Sequence, residues 1–259
     1  MQLGDFSELA GHYKNRPSYS MAVTRLLAQH VGADRSGFVF ADVGAGTGKM
    51  TECLLAMGLT GFAVEPNDPM RAEGERAFGD RSRVQWSKGS GENTGLPDSS
   101  VDWLIMASSF HWTDPALSLP EFHRVLRPGG FFTVIYNPRD VSSEGLHKEI
   151  DDKIREMVPG LQRKSSGSSV YTQTLEKTLL TGEYFQNPIF VEAPYSVSMT
   201  KERFMGVWRS VNDIQTQAGP ERFEEILEYI SKRIEPLHEV PCPYRIRSWT
   251  VQAAPKASA

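Results

Sequence analysis

The stretch that most constrains this chain is Phe38-Val-Phe-Ala-Asp-Val-Gly-Ala-Gly-Thr-Gly-Lys49. An apolar run ends in a loop with Gly44, Gly46 and Gly48, and a helix-like segment from Met50 to Met57 follows. Read as strand, tight turn and helix, this is the first unit of an open parallel α/β sheet. Glycine tolerates positive φ and lets the backbone approach a ligand where a Cβ would collide. Three glycines at alternate positions exceed what a plain strand-to-helix turn needs.

Three cofactor classes compete for such a loop. A P-loop needs G-x-x-x-x-G-K-[ST], but Val43 stands at the first glycine position and Met50 follows Lys49. The dinucleotide pattern G-x-G-x-x-G, counted from Gly44 and Gly46, requires a glycine where Lys49 stands. No diphosphate site is indicated. What remains, Asp42-x-Gly44-x-Gly46-x-Gly48, resembles motif I of the class I S-adenosylmethionine-dependent methyltransferases. A second unit, Gly61-Phe-Ala-Val-Glu-Pro66, is a short apolar run ending in Glu65 about twenty residues beyond the loop. A carboxylate at that strand tip can accept both ribose hydroxyls, through charge-assisted hydrogen bonds worth about 1.5–3 kcal/mol. NAD enzymes share this feature, so the glycine spacing decides in favour of adenosylmethionine.

Composition narrows the class further. At 259 residues and 39% hydrophobic content, the chain can bury one large domain, or a core with an insertion. The net charge of −4 and the absence of a dense Lys/Arg run give no signpost to nucleic acid. Cys53 and Cys242 form no disulfide framework and suit a reducing compartment. Asp5 and Glu8 interrupt the start, and no 18-residue apolar stretch is present. A soluble, cytoplasmic protein is expected, with no membrane partner and an oligomeric state that cannot be read.

Further along the chain the resemblance gains landmarks. Val23, Leu26, Leu27 and Val31 recur at helical spacing. Asp68-Pro69 reads as N-cap and first helical proline of a helix to about Phe78, and Asp114-Pro115 repeats the pairing before a helix that ends near Leu126 and that Pro120 should kink or shorten. Val84–Gly89 and the apolar run Val101–Ser109 read as strands three and four. Arg127–Gly130 is a turn into strand five, Phe131–Tyr136, and Arg124-Val-Leu-Arg-Pro-Gly-Gly130 is similar to a recurring methyltransferase signature. The likeness covers about residues 10–137 and is nearest to the type 11 group with trans-aconitate methyltransferase-like members, where Phe-His-Trp also closes strand four. It implies an α/β, Rossmann-like, seven-stranded and mostly parallel sheet with helices on both faces and a helical lid insertion.

The same resemblance implies site residues. S-adenosylmethionine, leaving as S-adenosylhomocysteine, would be held by Asp42, Gly44, Ala45, Gly46 and Gly48, then by Glu65, Pro66, Asn67 and Met70. Tyr13 and Arg16, in an N-terminal arm, would meet the methionine carboxylate. Ser90, Gly91 and Glu92 would read the adenine, with Ser90 standing where many relatives carry Asp, and Ala107 and Ser108 would close the site. His111 leaves strand four at the carboxyl edge, where ligands bind in open sheets. It either takes a proton from the acceptor or packs beneath the cofactor. Trp112, Tyr136, Tyr171, Trp208 and Arg209 are candidates for an acceptor pocket. His238, Glu239 and Cys242 lack metal-site spacing, so no metal is expected.

The acceptor is narrowed by what is missing. Strand four leads into Ser108-Ser-Phe-His111, without the Asn/Asp-Pro-Pro-aromatic run of adenine and glutamine-amide methyltransferases. A small molecule methylated at oxygen, nitrogen or carbon is the expected substrate. A non-catalytic methyltransferase-like binder, an RNA or protein methyltransferase and a dehydrogenase are the alternatives. The division expected is an arm and helix (1–33), a cofactor core (34–137), a helical lid (138–185), closing strands and helices (186–252) and a disordered tail (253–259). Residues 1–20 and 138–185 are expected to be a mobile cover, with helices over Leu146–Met157 and Tyr171–Leu180. Strands over Pro188–Met199 and Pro241–Val251 and helices over Thr200–Val211 and Pro220–Ile234 complete the pattern.

Overall fold

The computed structural model describes residues 15–78, 83–141, 144–162 and 172–256. The elements run α1 (Met21–His30), β1 (Val39–Val43), α2 (Lys49–Ala56), β2 (Thr60–Val64), α3 (Asp68–Ala77), β3 (Val84–Ser87) and β4 (Val101–Ala107). A 3-10 turn, Phe110–Trp112, precedes α4 (Pro115–Val125) and β5 (Leu126–Tyr136). Then come α5 (Leu146–Met157), α6 (Leu175–Leu179), β6 (Phe185–Met199), α7 (Lys201–Arg209), α8 (Asn212–Ile234) and β7 (Val240–Ala253).

Seven strands form one sheet in the order β3-β2-β1-β4-β5-β7-β6. The first five pair in parallel, and β7 inserts antiparallel between β5 and β6. Order reverses between β1 and β4, so the carboxyl ends of these strands flank the crevice where open α/β sheets take ligands. Both faces are covered. Tyr19, Val23 and Leu27 with Cys53 and Leu54 bury one face, while Phe122, Leu175 and Leu179 bury the other against Phe132. A third cluster joins Ile150 and Ile154 of α5 to Trp208 of α7 and Ile226 and Ile230 of α8. It rests on Met199, Val240 and Cys242, at the carboxyl-edge ends of β6 and β7.

Several boundaries depart from the sequence reading. Asn67, not Asp68, caps α3, because its Oδ1 accepts from the Met70 N–H at 3.0 Å. Pro120 does not shorten α4, which runs to Val125 and so ends where expected, near Leu126; the carbonyl it deprives belongs to exposed Ala116, where water can serve. The Arg127–Gly130 turn lies inside β5 as an irregularity opposite Val101–Trp103. Asn212–Pro220 joins the last long helix, which is broken only at Gly219. The 138–185 insertion divides: α5 joins α7 and α8, while α6 sinks into the sheet core at Leu175 and Leu179. Residues 253–256, expected in a tail, are held: Ala253 ends β7, the His123 ring bonds the Ala254 carbonyl, and Lys256 Nζ donates to the Arg124 carbonyl. The outer parts of the expected cover, 1–14 and 163–171, lie outside the described residues, with Tyr13 and Tyr171 among them.

The amino edge of the sheet is fastened by one carboxylate. Buried Asp102 accepts from Arg35 at 2.5 Å, Arg127 at 2.7 Å and the Val39 N–H at 2.8 Å. Three chain segments thus converge on the start of β4. Asp102→Ala should cost about 2–3 kcal/mol, since a buried N–H and two guanidiniums lose their common acceptor. Urea melts should show the loss, with hydrogen exchange at Gly44–Gly48, on the opposite edge, unchanged.

Candidate active site

The glycine loop leaves β1 as a left-handed ladder, with φ of 68°, 59° and 85° at Gly44, Gly46 and Gly48. Gly44 and Ala45 N–H groups both donate to the Val64 carbonyl, at 2.8 and 3.1 Å, so the loop hangs on β2. A Cβ on Gly44 would come within 2.7 Å of Ser109, and the φ of Gly46 would strain any β-branched residue. Glu65 then clasps the loop from the tip of β2. Its Oε2 accepts from the Gly46 N–H at 2.8 Å and its Oε1 from Asn67 N–H at 2.9 Å. Burial raises the carboxyl pKa, and those two N–H bonds with Arg71 oppose the rise. Beneath the loop, Asp42 is fully buried. One oxygen accepts from the Thr51 hydroxyl at 2.6 Å, and the other has no partner among the described residues. Burial pushes its pKa up to about 7, against the Thr51 hydrogen bonds and with help from the Glu65 charge.

The wall opposite is the end of β4. Ser108 adopts a left-handed φ of 57° and shares a 2.9 Å hydrogen bond with the Tyr19 hydroxyl. Burial raises the pKa of that phenol. Between β3 and α4, Ser90 and Asn93 close a small turn, and Glu92 Oε1 accepts from the Asp114 N–H at 2.9 Å. Ser90, Gly91 and Glu92 therefore form a rigid shelf tied to the start of α4.

These elements line a cavity of about 660 Å³, within the usual range for small-molecule sites. One end carries Gly44, Ala45, Glu65, Pro66 and Asn67, with Ser90, Gly91 and Glu92 alongside. Ala107, Ser108, Trp112 and Tyr136 line the middle, and Trp208 stands in the roof. Arg16 lines the cavity too, but its Nε and Nη2 donate to the Ser210 hydroxyl and carbonyl, each at 2.8 Å. It thereby straps residues 15–19 to the end of α7.

Other expected residues stand aside. Asp42, Gly46, Gly48 and Met70 support the lining from behind without lining it. Arg209 is exposed, because one residue of helix turns it away from Trp208, the side chain that faces the cavity. His111 also lies behind the wall, with its ring 4.6 Å from that of Trp112 and 5.7 Å from that of Tyr136. Burial pushes its pKa down to about 4, far from the value a base needs near neutrality. Of its two sequence readings, the geometry suits packing. Sequence reasoning missed Tyr19, Asn137, Arg139, His147, Asp151 and Arg155, all in the lining. Only Asn137 and Arg139 carried a signal, by following β5 at the carboxyl edge. His147, Asp151 and Arg155 share one face of α5 at four-residue spacing, which shows only once α5 is placed.

Asp42, the glycine loop and Glu65 provide what an adenosyl cofactor requires, a close-approach turn and a fixed carboxylate. Comparison with known proteins agrees. Residues 41–134 match a family model described as a methyltransferase domain. Over 141 residues the chain is 38% identical to an uncharacterized methyltransferase of Mycobacterium tuberculosis, covering 54% of each. The chain thus spans about half the length of the first curated relatives it matches. An uncharacterized methyltransferase-like protein of Schizosaccharomyces pombe is 24% identical over 255 residues, 96% of this chain and 95% of that one. Among solved structures, a candidate type II methyltransferase from Anaeromyxobacter dehalogenans shares the fold. Its TM-score is 0.63 at 22% identity, over 93% of this chain and 99% of that one. These likenesses are to the methyltransferase domain in general and not to its trans-aconitate-like subgroup. With the glycine ladder, the Glu65 clasp and the reversal of strand order all in place, residues 41–134 carry the methyltransferase domain that the family model describes.

Proposed function

We propose that the chain transfers the methyl group of S-adenosylmethionine to a small-molecule acceptor at oxygen, nitrogen or carbon. The observation that carries this reading is the single cavity running from Glu65 and the glycine loop to Tyr136 and Trp208. The cofactor supplies an activated methyl on a sulfonium. The protein's task is to align and to exclude water, since in-line displacement gains most from orientation. Glu65, held by two N–H groups, is fixed to accept from a ribose, and each oxygen retains a second lone pair for that purpose. The Ser90–Glu92 shelf offers backbone and carboxylate groups to a purine edge. Tyr136, Trp112 and Trp208 form the aromatic side of the cavity. A concave cavity of this volume suits a metabolite better than a nucleic acid. Two buried free cysteines suit the cytoplasm. No helix among the described residues is long and apolar enough to cross a membrane, and no metal-binding cluster occurs among them.

Calorimetry should show S-adenosylhomocysteine binding, with Glu65→Ala weaker by about tenfold or more because a charge-assisted contact is lost. Unchanged affinity in that variant would remove Glu65 from the site. Gly46→Val should fold but lose binding, since valine resists the left-handed backbone that aims the Gly46 N–H at Glu65. Normal binding by a folded Gly46→Val chain would mean that the loop does not cradle the cofactor.

Asp42 adds a pH signature. Its pKa rises from 3.8 unfolded to about 7 folded, so the folded state retains a proton that the unfolded chain releases. Its contribution to stability is therefore lost as pH rises from about 4 to about 7. Asp42→Asn should gain on the parent by roughly a few kcal/mol between pH 5 and pH 8. Urea melts showing a constant difference between the two chains across that range would contradict a buried, protonated Asp42.

A further inference from the structure

Asn137 and His147, both in the cavity lining, commit their donors to the protein and keep an acceptor unused. Asn137 follows β5, and its Nδ2 donates to the Tyr195 hydroxyl of β6. That hydroxyl spends its own proton on the Ser18 carbonyl at 3.2 Å, so toward Asn137 it can only accept. The amide is thereby turned with Oδ1 away from Tyr195, and this buried oxygen has no hydrogen-bond partner among the described residues. His147 repeats the arrangement on α5. It is only 8% exposed, and its Nε2 lies 2.7 Å from the Pro241 carbonyl of β7. A carbonyl only accepts, so Nε2 carries the hydrogen, and Nδ1 of the neutral ring keeps a bare lone pair. Nδ1 is likewise buried and without a partner among the described residues.

Both groups are braced on one support. Tyr195 and Pro241 belong to the paired strands β6 and β7, where Tyr195 faces Tyr244 and Ser198 faces Pro241. Phe204 of α7 meets the His147 ring edge to face, with centroids 5.8 Å apart. The charged and titratable groups on the elements packed here are Arg139 after β5, Asp151 of α5, Arg203 of α7, and Cys242 and Tyr244 of β7. On α8, Tyr229 and Arg233 meet Glu149, which lies on a different face of α5. Burial lowers the His147 pKa, the Pro241 hydrogen bond opposes this, and the Arg139 charge adds to it. The ring is therefore neutral near pH 7, the form that can take a proton. As it becomes positive, the Pro241 carbonyl steadies it, in the role of the third group that orients a base.

We infer that His147 Nδ1 takes the proton of the methyl acceptor, which is a hydroxyl or amine compound, and that Asn137 Oδ1 holds a second donor of that compound. This rests on the methyl-transfer reading of the same cavity and adds the acceptor's reacting group to it. The acceptor's oxygen or nitrogen lone pair forms a bond to the methyl carbon while the carbon–sulfur bond breaks. The electron pair of that bond stays on sulfur, which leaves neutral S-adenosylhomocysteine. The proton of the O–H or N–H passes to Nδ1, and the imidazolium then releases it to water. Catalytic hydrogen bonds commonly close only once substrate is bound, so contact with Nδ1 is made in the complex. A carboxylate acceptor has no proton to give and would leave both lone pairs unused.

The test uses a mixed metabolite extract, part of it treated with acetic anhydride in pyridine, which caps hydroxyls and amines and leaves carboxylates free after aqueous work-up. Each portion is incubated with the full chain and S-adenosylmethionine, and release of S-adenosylhomocysteine is measured across pH. The untreated portion should support turnover and the capped portion should not. Mild alkaline hydrolysis removes acetyl esters but not amides, and so separates the sources: turnover restored indicates a hydroxyl, and turnover still lost indicates an amine. His147→Gln keeps a donor for the Pro241 carbonyl but supplies no base. It should lower kcat by about a hundredfold or more, change KM less, and bind S-adenosylhomocysteine as tightly as the parent. The parent's kcat should fall on acidification with a midpoint below the ordinary histidine value, a limb that the variant should lack. Asn137→Ala should raise KM more than it lowers kcat. Nitrogen NMR of the histidine-labelled chain should show His147 protonated at Nε2 and bare at Nδ1. The opposite tautomer, turnover with the capped portion, no turnover with either portion, or an unchanged kcat and acid limb in a folded His147→Gln chain overturns the inference. Failure of the unaltered chain to bind S-adenosylhomocysteine would overturn the methyl-transfer reading first, and this inference with it.

Discussion

The carboxylate of Glu65 fixes two chain segments at once. One oxygen holds Gly46 and the other holds Asn67, so the glycine loop after β1 and the turn after β2 share a single anchor. Val64, the residue before it, takes the Gly44 and Ala45 N–H groups on its carbonyl. Three left-handed residues in seven would be costly and mobile alone, because glycine loses the most backbone entropy on ordering. Hung on the neighbouring strand, they are ordered before any ligand arrives. A ligand then meets a preorganised cradle, and its binding free energy is not spent on folding the loop.

The same arrangement separates stability from function by edge. Asp102 gathers Arg35, Arg127 and the Val39 N–H at the amino edge, where β1, β4 and β5 start. Asp42 and Glu65 occupy the carboxyl edge, and burial raises both of their pKa values. The amino edge thus spends its carboxylate on satisfied ion pairs. The carboxyl edge keeps acids in desolvated positions, with one Asp42 oxygen left without a partner among the described residues. Such positions cost stability and are retained where a ligand uses them.

Much of this frame was legible in the sequence. The glycine spacing, Glu65 and the Arg-Pro-Gly-Gly turn are local patterns, and local patterns marked out the first five strands. Failures occurred where a neighbour decided the outcome. Asn67 displaced Asp68 as cap because its side chain reaches Met70 N–H. Trp208 faces the cavity and Arg209 does not, a difference of one helical step that depends on how α7 sits against α5 and α8. Arg139, His147 and Asp151 share a cavity with Trp208 only through the tertiary packing of three separate segments, for which no short-range pattern exists.

Residues 15–19 link the two ends of the cavity, and their bonds differ in kind. Toward the roof, Arg16 makes two hydrogen bonds to Ser210, and Arg203 Nε donates to the Asn15 carbonyl at 3.1 Å. Toward the sheet, Tyr19 is buried with its hydroxyl on Ser108, and the Ser18 carbonyl accepts from the Tyr195 hydroxyl at 3.2 Å. Arg16 and Arg203 can exchange their contacts for water at about 1 kcal/mol each. Freeing Tyr19 would expose an aromatic ring and leave Ser108 in a left-handed backbone without its hydroxyl partner, a larger cost. Separation therefore costs less at the roof than at the sheet. The arm is part of the cavity wall, and the cavity's weaker seam lies between that wall and the end of α7.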